Sequence, residues 1–383
     1  MKTATQGWVI LSIALALNGE AVGQELVSAP ATRETSTNAP ATPVTLDDHQ
    51  VRYAVVPGPL YSPSLGWGLM VIPMMTFKVD PADEVSPASS FSAFLLGTEN
   101  NSFVAGIGPK LYLCEDTWRL SGSAGYGRVK EKFYGIGATD PDQYVDMTSE
   151  MILGKVEALY RAYPSVFVGP SLQYRQVRFD GDDPTADQVL EAAGLNSEYE
   201  HNVAPGLVAQ FDTRDDQVAP GKGVFIDTNI RYSSEALGSS SSYERVGLAC
   251  SQYLTLWNDP RHVLAMQGSI ETGFGDVPFD EYPDLGGQKA LRGYVKGEFT
   301  DKNMAAVQAE YRWNAWKKVG LTAFGGVGKV FPAWDEIGDA RWLPSGGVGV
   351  RYLIIPERRM NARLDFAWGE LGPNFYFSVG EAF

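Results

Sequence analysis

The sequence predicts an all-β fold: one sixteen-stranded antiparallel transmembrane β-barrel of the bacterial outer membrane. Three observations carry that expectation. Apolar and polar residues alternate with period 2 almost without a break beyond residue 50, while helical periodicity is nearly absent. The chain opens on a segment with the form of an export signal. It closes on an alternating apolar stretch whose terminal residue is the aromatic Phe383.

Composition narrows the function classes. The 383 residues carry 46 acidic and 31 basic side chains, a formal net charge of −15. Scattered bases on an acidic chain do not make the clustered Lys/Arg patch that phosphate neutralisation needs, so no nucleic-acid partner is expected. The longest apolar run lies in the first twenty residues, and nothing after it is long enough to cross a bilayer as a helix. Cys114 and Cys250 are too few and too far apart for a disulfide framework, and are read as small buried or lipid-facing residues.

Three segments follow in order. Residues 1–23 read as a signal peptide, with Lys2, an apolar stretch from Trp8 to Leu17, and small residues at Ala21-Val22-Gly23. Residues 24–50, rich in Pro, Thr, Ala and Ser, cannot bury enough surface to order themselves and read as a disordered periplasmic linker. Residues 51–383 read as the barrel. Within it, Val224, Ile226, Ile230 and Tyr232 share one parity against Asp227, Asn229 and Arg231. Val307, Ala309, Tyr311 and Trp313 alternate with Gln308, Glu310 and Arg312, and Leu364, Phe366 and Trp368 with Arg363 and Asp365. Alternation alone fits a soluble sandwich as well as a membrane barrel. The export signal, the number of strands and the rim-type Trp257, Trp313, Trp316, Trp342 and Trp368 favour the membrane.

Strands are expected at roughly 52–61, 65–79, 88–99, 102–114, 117–135, 144–162, 165–179, 197–213, 222–236, 242–258, 262–275, 302–314, 316–331, 342–354, 360–370 and 373–383. The long connections 136–143, 180–196, 276–301 and 332–341 all follow odd-numbered strands, as external loops of a bacterial barrel should. Pro57, Pro59 and Pro63 remove ladder donors from the first strand. Either it forms a loosely zipped seam with the last strand, or residues 52–61 merely lead into the barrel.

Phe375, Phe377, Val379, Glu381 and Phe383 share a parity on the last strand, and Phe375, Phe377, Val379 and Phe383 resemble the C-terminal recognition signal of outer-membrane barrel clients. The longest loop contains Gly286-Gly287-Gln288-Lys289-Ala290-Leu291-Arg292-Gly293-Tyr294, followed on the next strand by Ala309-Glu310-Tyr311-Arg312. This stretch resembles the BamA/TamA superfamily of outer-membrane barrels, the bacterial surface antigen proteins, whose sixth external loop carries a Gly-rich run into Arg-Gly-Phe/Tyr. Asp212-Thr213-Arg214-Asp215-Asp216 with Pro220, Gly221 and Gly223 looks like the family's periplasmic turn. Tyr61-Ser62-Pro63-Ser64-Leu65-Gly66-Trp67-Gly68 resembles its opening hairpin. Tyr134-Gly135-Ile136-Gly137 and Ser345-Gly346-Gly347-Val348-Gly349-Val350-Arg351-Tyr352 fit as well.

The resemblance implies that Arg292, with Gly293 and Tyr294, folds back into the lumen and is anchored by Glu310, with Gly286 and Gly287 shaping the loop. A forked guanidinium suits an inward carboxylate. The residues alone favour a solvated loop arginine. Gly326 stands where the family commonly carries an acid, so the second lumenal partner of Arg292 is expected to be missing. Residues 24–50 are too short for even one periplasmic client-binding (POTRA) domain, so the resemblance is to a member without that arm.

Enzyme readings find no support. His49, His201 and His262 are the three histidines and lie without a serine nucleophile beside them, so no catalytic residue is assigned. Asp180-Gly181-Asp182-Asp183 lacks calcium-loop spacing and reads as a solvated turn. No metal site and no cofactor are expected. The resemblance implies insertion or translocation of protein substrates through the first/last-strand seam. The alternative is a transport channel or structural barrel that has lost the assembly role. Expected partners are outer-membrane lipid, the outer-membrane assembly machinery acting through the C-terminal strand, and a separate periplasmic partner if the barrel does not act by itself.

Overall fold

The computed structural model describes residues 51–62, 65–136, 144–195, 197–287, 290–295, 297–355 and 359–383. The expected signal peptide and linker, and motif residues Pro63, Ser64, Gly137, Gln288 and Lys289, lie outside the described residues.

The strands are β1 (Arg52–Ser62), β2 (Gly66–Phe77), β3 (Ser89–Thr98), β4 (Phe103–Leu113), β5 (Trp118–Phe133) and β6 (Val145–Tyr163). Next come β7 (Val166–Gly181), β8 (Glu200–Asp212), β9 (Gly223–Ser233), β10 (Tyr243–Thr255) and β11 (His262–Gly275). Two short strands, β12 (Asp284–Leu285) and β13 (Phe299–Thr300), pair with each other within the loop that follows β11. The wall resumes with β14 (Asn303–Trp313), β15 (Val319–Phe331), β16 (Leu343–Ile355), β17 (Met360–Gly369) and β18 (Gly372–Val379). Sixteen of these form one antiparallel sheet in sequence order, from β1 to β18 with β12 and β13 set aside. Each of the sixteen expected strands is present, with ends within about four residues of the sequence-based boundaries.

Burial decides between sandwich and membrane barrel. Ile230, Val307 and Leu364, from the apolar parities, are 49%, 56% and 51% exposed, whereas the polar-parity Glu310 and Asp365 are fully buried. A soluble sheet would do the opposite; here the apolar face points outward and the charges point into the lumen. The rim tryptophans Trp257, Trp316 and Trp342 are exposed, as headgroup-level aromatics should be. Cys114 and Cys250 are free and exposed, Cys250 on the outward parity of β10.

Two expectations need correction. The connection 180–196 is not an irregular loop throughout: past the exposed bend at Asp182 and Asp183 it holds a nine-residue helix, α1 (Pro184–Ala192). The Asp183 carboxylate accepts hydrogen bonds from the Thr185 and Ala186 N–H groups, and proline starts the helix where its missing N–H costs nothing. Ala186 and Leu190 bury its inner face, too short a pattern to register as helical periodicity. The last strand does not run to Phe383 either. It ends at Val379, and Gly380, at φ +87°, turns the chain off the wall.

Candidate functional site: the latched loop in the lumen

The β11–β14 loop folds into the barrel rather than over it. The β12/β13 ladder closes its stem, and the tip is shaped by glycines. Gly286 and Gly293 sit at φ +128° and +123°, and a Cβ on them would come 2.6 Å from the Val295 carbonyl oxygen and 2.7 Å from that of Trp368. The Gly287 N–H donates to the Tyr294 carbonyl at 2.9 Å, tightening the turn. Leu291 and Tyr294 pack with Leu285, Phe299, Met304, Val330 and Leu343, so the tip has its own apolar core inside a polar lumen.

Arg292 emerges from this core with no exposed side-chain surface. Its Nη2 stands 2.6 Å from Glu310 Oε2 on β14, and its Nη1 donates to Asp365 Oδ2 on β17 at 2.6 Å. The guanidinium carbon lies 3.5 Å from the ring centroid of Phe324 on β15, a cation–π stack. The structure thus brings together Arg292, Gly293, Tyr294, Glu310, Gly286 and Gly287.

The second carboxylate, expected to be missing, is present. It comes from Asp365 rather than from position 326, where a Cβ would come 2.6 Å from the Val307 carbonyl oxygen and no acid would fit. Two glycines on β16 create the space. A Cβ at Gly349, the register partner of Asp365, would lie 2.1 Å from Asp365 Oδ1, and one at Gly347 would lie 2.6 Å from the Phe324 ring. The signal was in the sequence: Leu364, Phe366 and Trp368 face outward, so Asp365 must face inward.

The network continues to the end of the chain. Arg351 on β16 donates to Asp365 Oδ1 at 2.6 Å, to Glu310 Oε2 at 3.2 Å and to Glu381 Oε2 at 2.9 Å. Arg312 on β14 donates to Glu310 Oε1 at 2.8 Å and to the Phe383 carbonyl oxygen at 2.7 Å, and lies 3.6 Å from Glu381. Arg363 Nε stands 3.4 Å from Asp365. Alternation placed Glu381 with the outward residues; the turn at Gly380 carries it inward instead, where Asn361 Nδ2 also donates to it at 2.8 Å.

The loop tip also grips β18 directly. The Gly293 N–H donates to the Tyr376 hydroxyl at 3.0 Å, that hydroxyl donates to the Tyr294 carbonyl at 2.9 Å, and Asn374 Nδ2 donates to the Gly293 carbonyl at 2.8 Å. Tyr294 reaches the Pro344 carbonyl on β16 at 2.6 Å. The other parity of β18 points outward, with Phe375 exposed. At the seam, a Cβ on Gly58 of β1 would lie 3.3 Å from the Phe377 ring, so the two strands are adjacent. Among the described residues no backbone register joins them, whereas every other neighbouring pair in the wall has one.

Comparison with known proteins places this geometry. Residues 94–383 match the Omp85 superfamily domain. No curated protein matches the sequence significantly. Among solved structures, BamA from Haemophilus ducreyi lacking POTRA domains 1–3 is similar at a TM-score of 0.56 and 14% identity, over 96% of this chain and 77% of that one. CdiB from Escherichia coli is similar at a TM-score of 0.60 and 11% identity, over 90% of this chain and 64% of that one. CdiB from Acinetobacter baumannii is similar at 0.54 and 13%, over 86% and 59%. At these identities the likeness is one of fold. With a family match across most of the barrel, the chain belongs to the Omp85 superfamily of bacterial outer-membrane β-barrels.

Proposed function

We propose that this barrel inserts or translocates protein substrates at the outer membrane through the β1/β18 seam, with the Arg292 loop as an internal latch on the seam strand. One observation carries the reading: among the described residues, the wall has a register at every neighbouring pair except β1/β18, and the loop tip is hydrogen-bonded to β18 itself. A strand edge that is free to pair can accept a strand from another chain by β-augmentation, and an opened β1/β18 seam would offer one to a nascent barrel strand. Pro57 and Pro59, two residues apart, lack N–H groups on the same edge of β1, which weakens any ladder formed there. A solute channel is disfavoured by a lumen holding a buried loop and the Glu381–Phe383 turn.

On this reading residues 1–23 are an export signal and residues 24–50 a linker. Phe375, Phe377, Val379 and Phe383 present the barrel to the assembly machinery, and a separate periplasmic partner delivers substrate. Disulfide trapping in native membranes tests it, with cysteine pairs along residues 52–58 and 374–378 and with Cys114 and Cys250 replaced by alanine. Pairs that form at one end alone, with loss of activity on oxidation, are the expected result. Efficient trapping along the whole seam without loss of growth or of other outer-membrane barrels sinks the proposal.

A further inference from the structure

The loop that carries Arg292 is also charged and buried in its first half. Phe279–Glu281 form a short 3-10 turn, and Phe279, Asp280 and Glu281 are all buried. The Phe279 ring enters an apolar cluster with Phe133, Met147, Val177, Phe179 and Leu190 of α1, at 5.3 Å from Phe133 and 6.1 Å from Phe179 between centroids. Beside it, Arg175 of β7 grips both side chain and backbone of the turn. Its Nε donates to Asp280 Oδ2 at 3.0 Å and its Nη2 to the Asp280 carbonyl at 2.6 Å, while Nε lies 3.1 Å from Glu281 Oε1. Gln173 Nε2 donates to Glu281 Oε1 at 2.7 Å, and Arg231 Nη2 of β9 stands 3.5 Å from Glu281 Oε2. Arg231 also donates to Gln173 Oε1.

The wall is shaped for this contact. A Cβ at Gly206 on β8 would lie 2.9 Å from Arg231 Cγ, so glycine leaves the arginine its room. Arg245, cross-strand from Arg231 on β10, is turned to Glu271 at 2.7 Å instead. Ion pairs bathed in lumen water would hold little. Here Arg175, Asp280 and Glu281 are themselves buried, and removing one partner would strand a buried charge.

These contacts lie on β7 and β9, separated from β14 and β17 by β10 and β11 in the sheet order. The loop is therefore fastened to two separate parts of the wall. We propose that Asp280 and Glu281 are positioning residues of a second anchor that holds the loop in the lumen independently of Arg292. The loop is a strut rather than a lid hinged at its base, and loss of the Arg292 contacts alone does not clear the lumen. This holds whatever substrate the barrel handles, because it concerns the position of the loop and not the seam.

Single-channel conductance in planar bilayers tests it on the full-length barrel, with folding checked by the compact gel band before heating. The variants are Asp280→Asn/Glu281→Gln, Arg292→Ala, and the combination. Each of the first two should leave conductance near the parent's, and the combination should exceed the sum of the single increases by at least about twofold. A full conductance step with Arg292→Ala alone, or a combination no more conductive than Arg292→Ala, overturns the second anchor. A cysteine pair at Phe279 and Phe179 in the combined variant, lacking Cys114 and Cys250, gives an independent reading. Oxidation should return conductance to the level of Arg292→Ala and reduction should restore it; a disulfide that forms without lowering conductance also overturns the proposal.

Discussion

A guanidinium with no exposed surface must have its charge met by its neighbours, and Arg292 meets two carboxylates and an aromatic face. Breaking such a pair costs roughly 3–5 kcal/mol, because the surviving partner keeps its burial and loses its compensation. Arg292→Ala should therefore lower the temperature at which the barrel loses its compact gel mobility. Gly349→Ala should act similarly without touching a charge, since its Cβ would occupy the place of Asp365 Oδ1. Unchanged heat resistance in both variants would show that the latch is not a stabilising contact. Glu298, in the same loop and outside the wall strands, adds a pH dependence. Burial pushes its carboxyl up to about 7, although the Val295 N–H donates to it at 3.0 Å. Between its ordinary value of 4.5 and about 7 the folded state holds the extra proton, so stability falls as pH rises through that window. Unfolding midpoints in urea should drop from pH 5 to pH 8 in the parent, and Glu298→Gln should flatten that drop; an equally steep Glu298→Gln variant would refute the assignment.

At the level of elements, period 2 sufficed for the wall because lipid outside and charge inside impose one alternation on every strand. Leu364, Phe366 and Trp368 against Arg363 and Asp365 is that rule in five residues. Glu310 could be placed inward for the same reason, and Arg292 could be paired with it by family resemblance. Asp365 as second partner was equally available from parity, but a partner three strands away is found by register, and register is not local. The elements that escaped are those set by single residues or short patterns. α1 depends on Asp183 and Pro184 at its start and on two buried side chains. The end of β18 depends on Gly380, whose positive φ overrides an alternation that would have continued to Phe383. The Asp280–Glu281 turn carries no periodic signal, and its partners Arg175 and Arg231 are far away in sequence.

Across the whole molecule, the loop tip and the end of the chain are parts of one charge network. Glu310 is shared by Arg292, Arg312 and Arg351, Asp365 by Arg292, Arg351 and Arg363, and Glu381 by Arg312 and Arg351. Removing Glu381 releases one bond of Arg351 and lets it turn more fully toward Glu310 and Asp365, the two acids that hold Arg292. Removing Arg292 leaves those acids to Arg351 and Arg312, which draws both arginines away from Glu381. Each change alters the value of the other, so the two sites, though not in direct contact, should not behave independently. A double-mutant cycle with Arg292→Ala and Glu381→Gln, read as unfolding free energy in urea, should show a coupling of about 0.5–3 kcal/mol, the range for residues in one ion-pair network. Additivity within about 0.3–0.5 kcal/mol would mean that the latch and the seam end are energetically separate. A measurable coupling would give the barrel a physical route by which loop position biases β18, since the same tip also holds β18 through Asn374 and Tyr376.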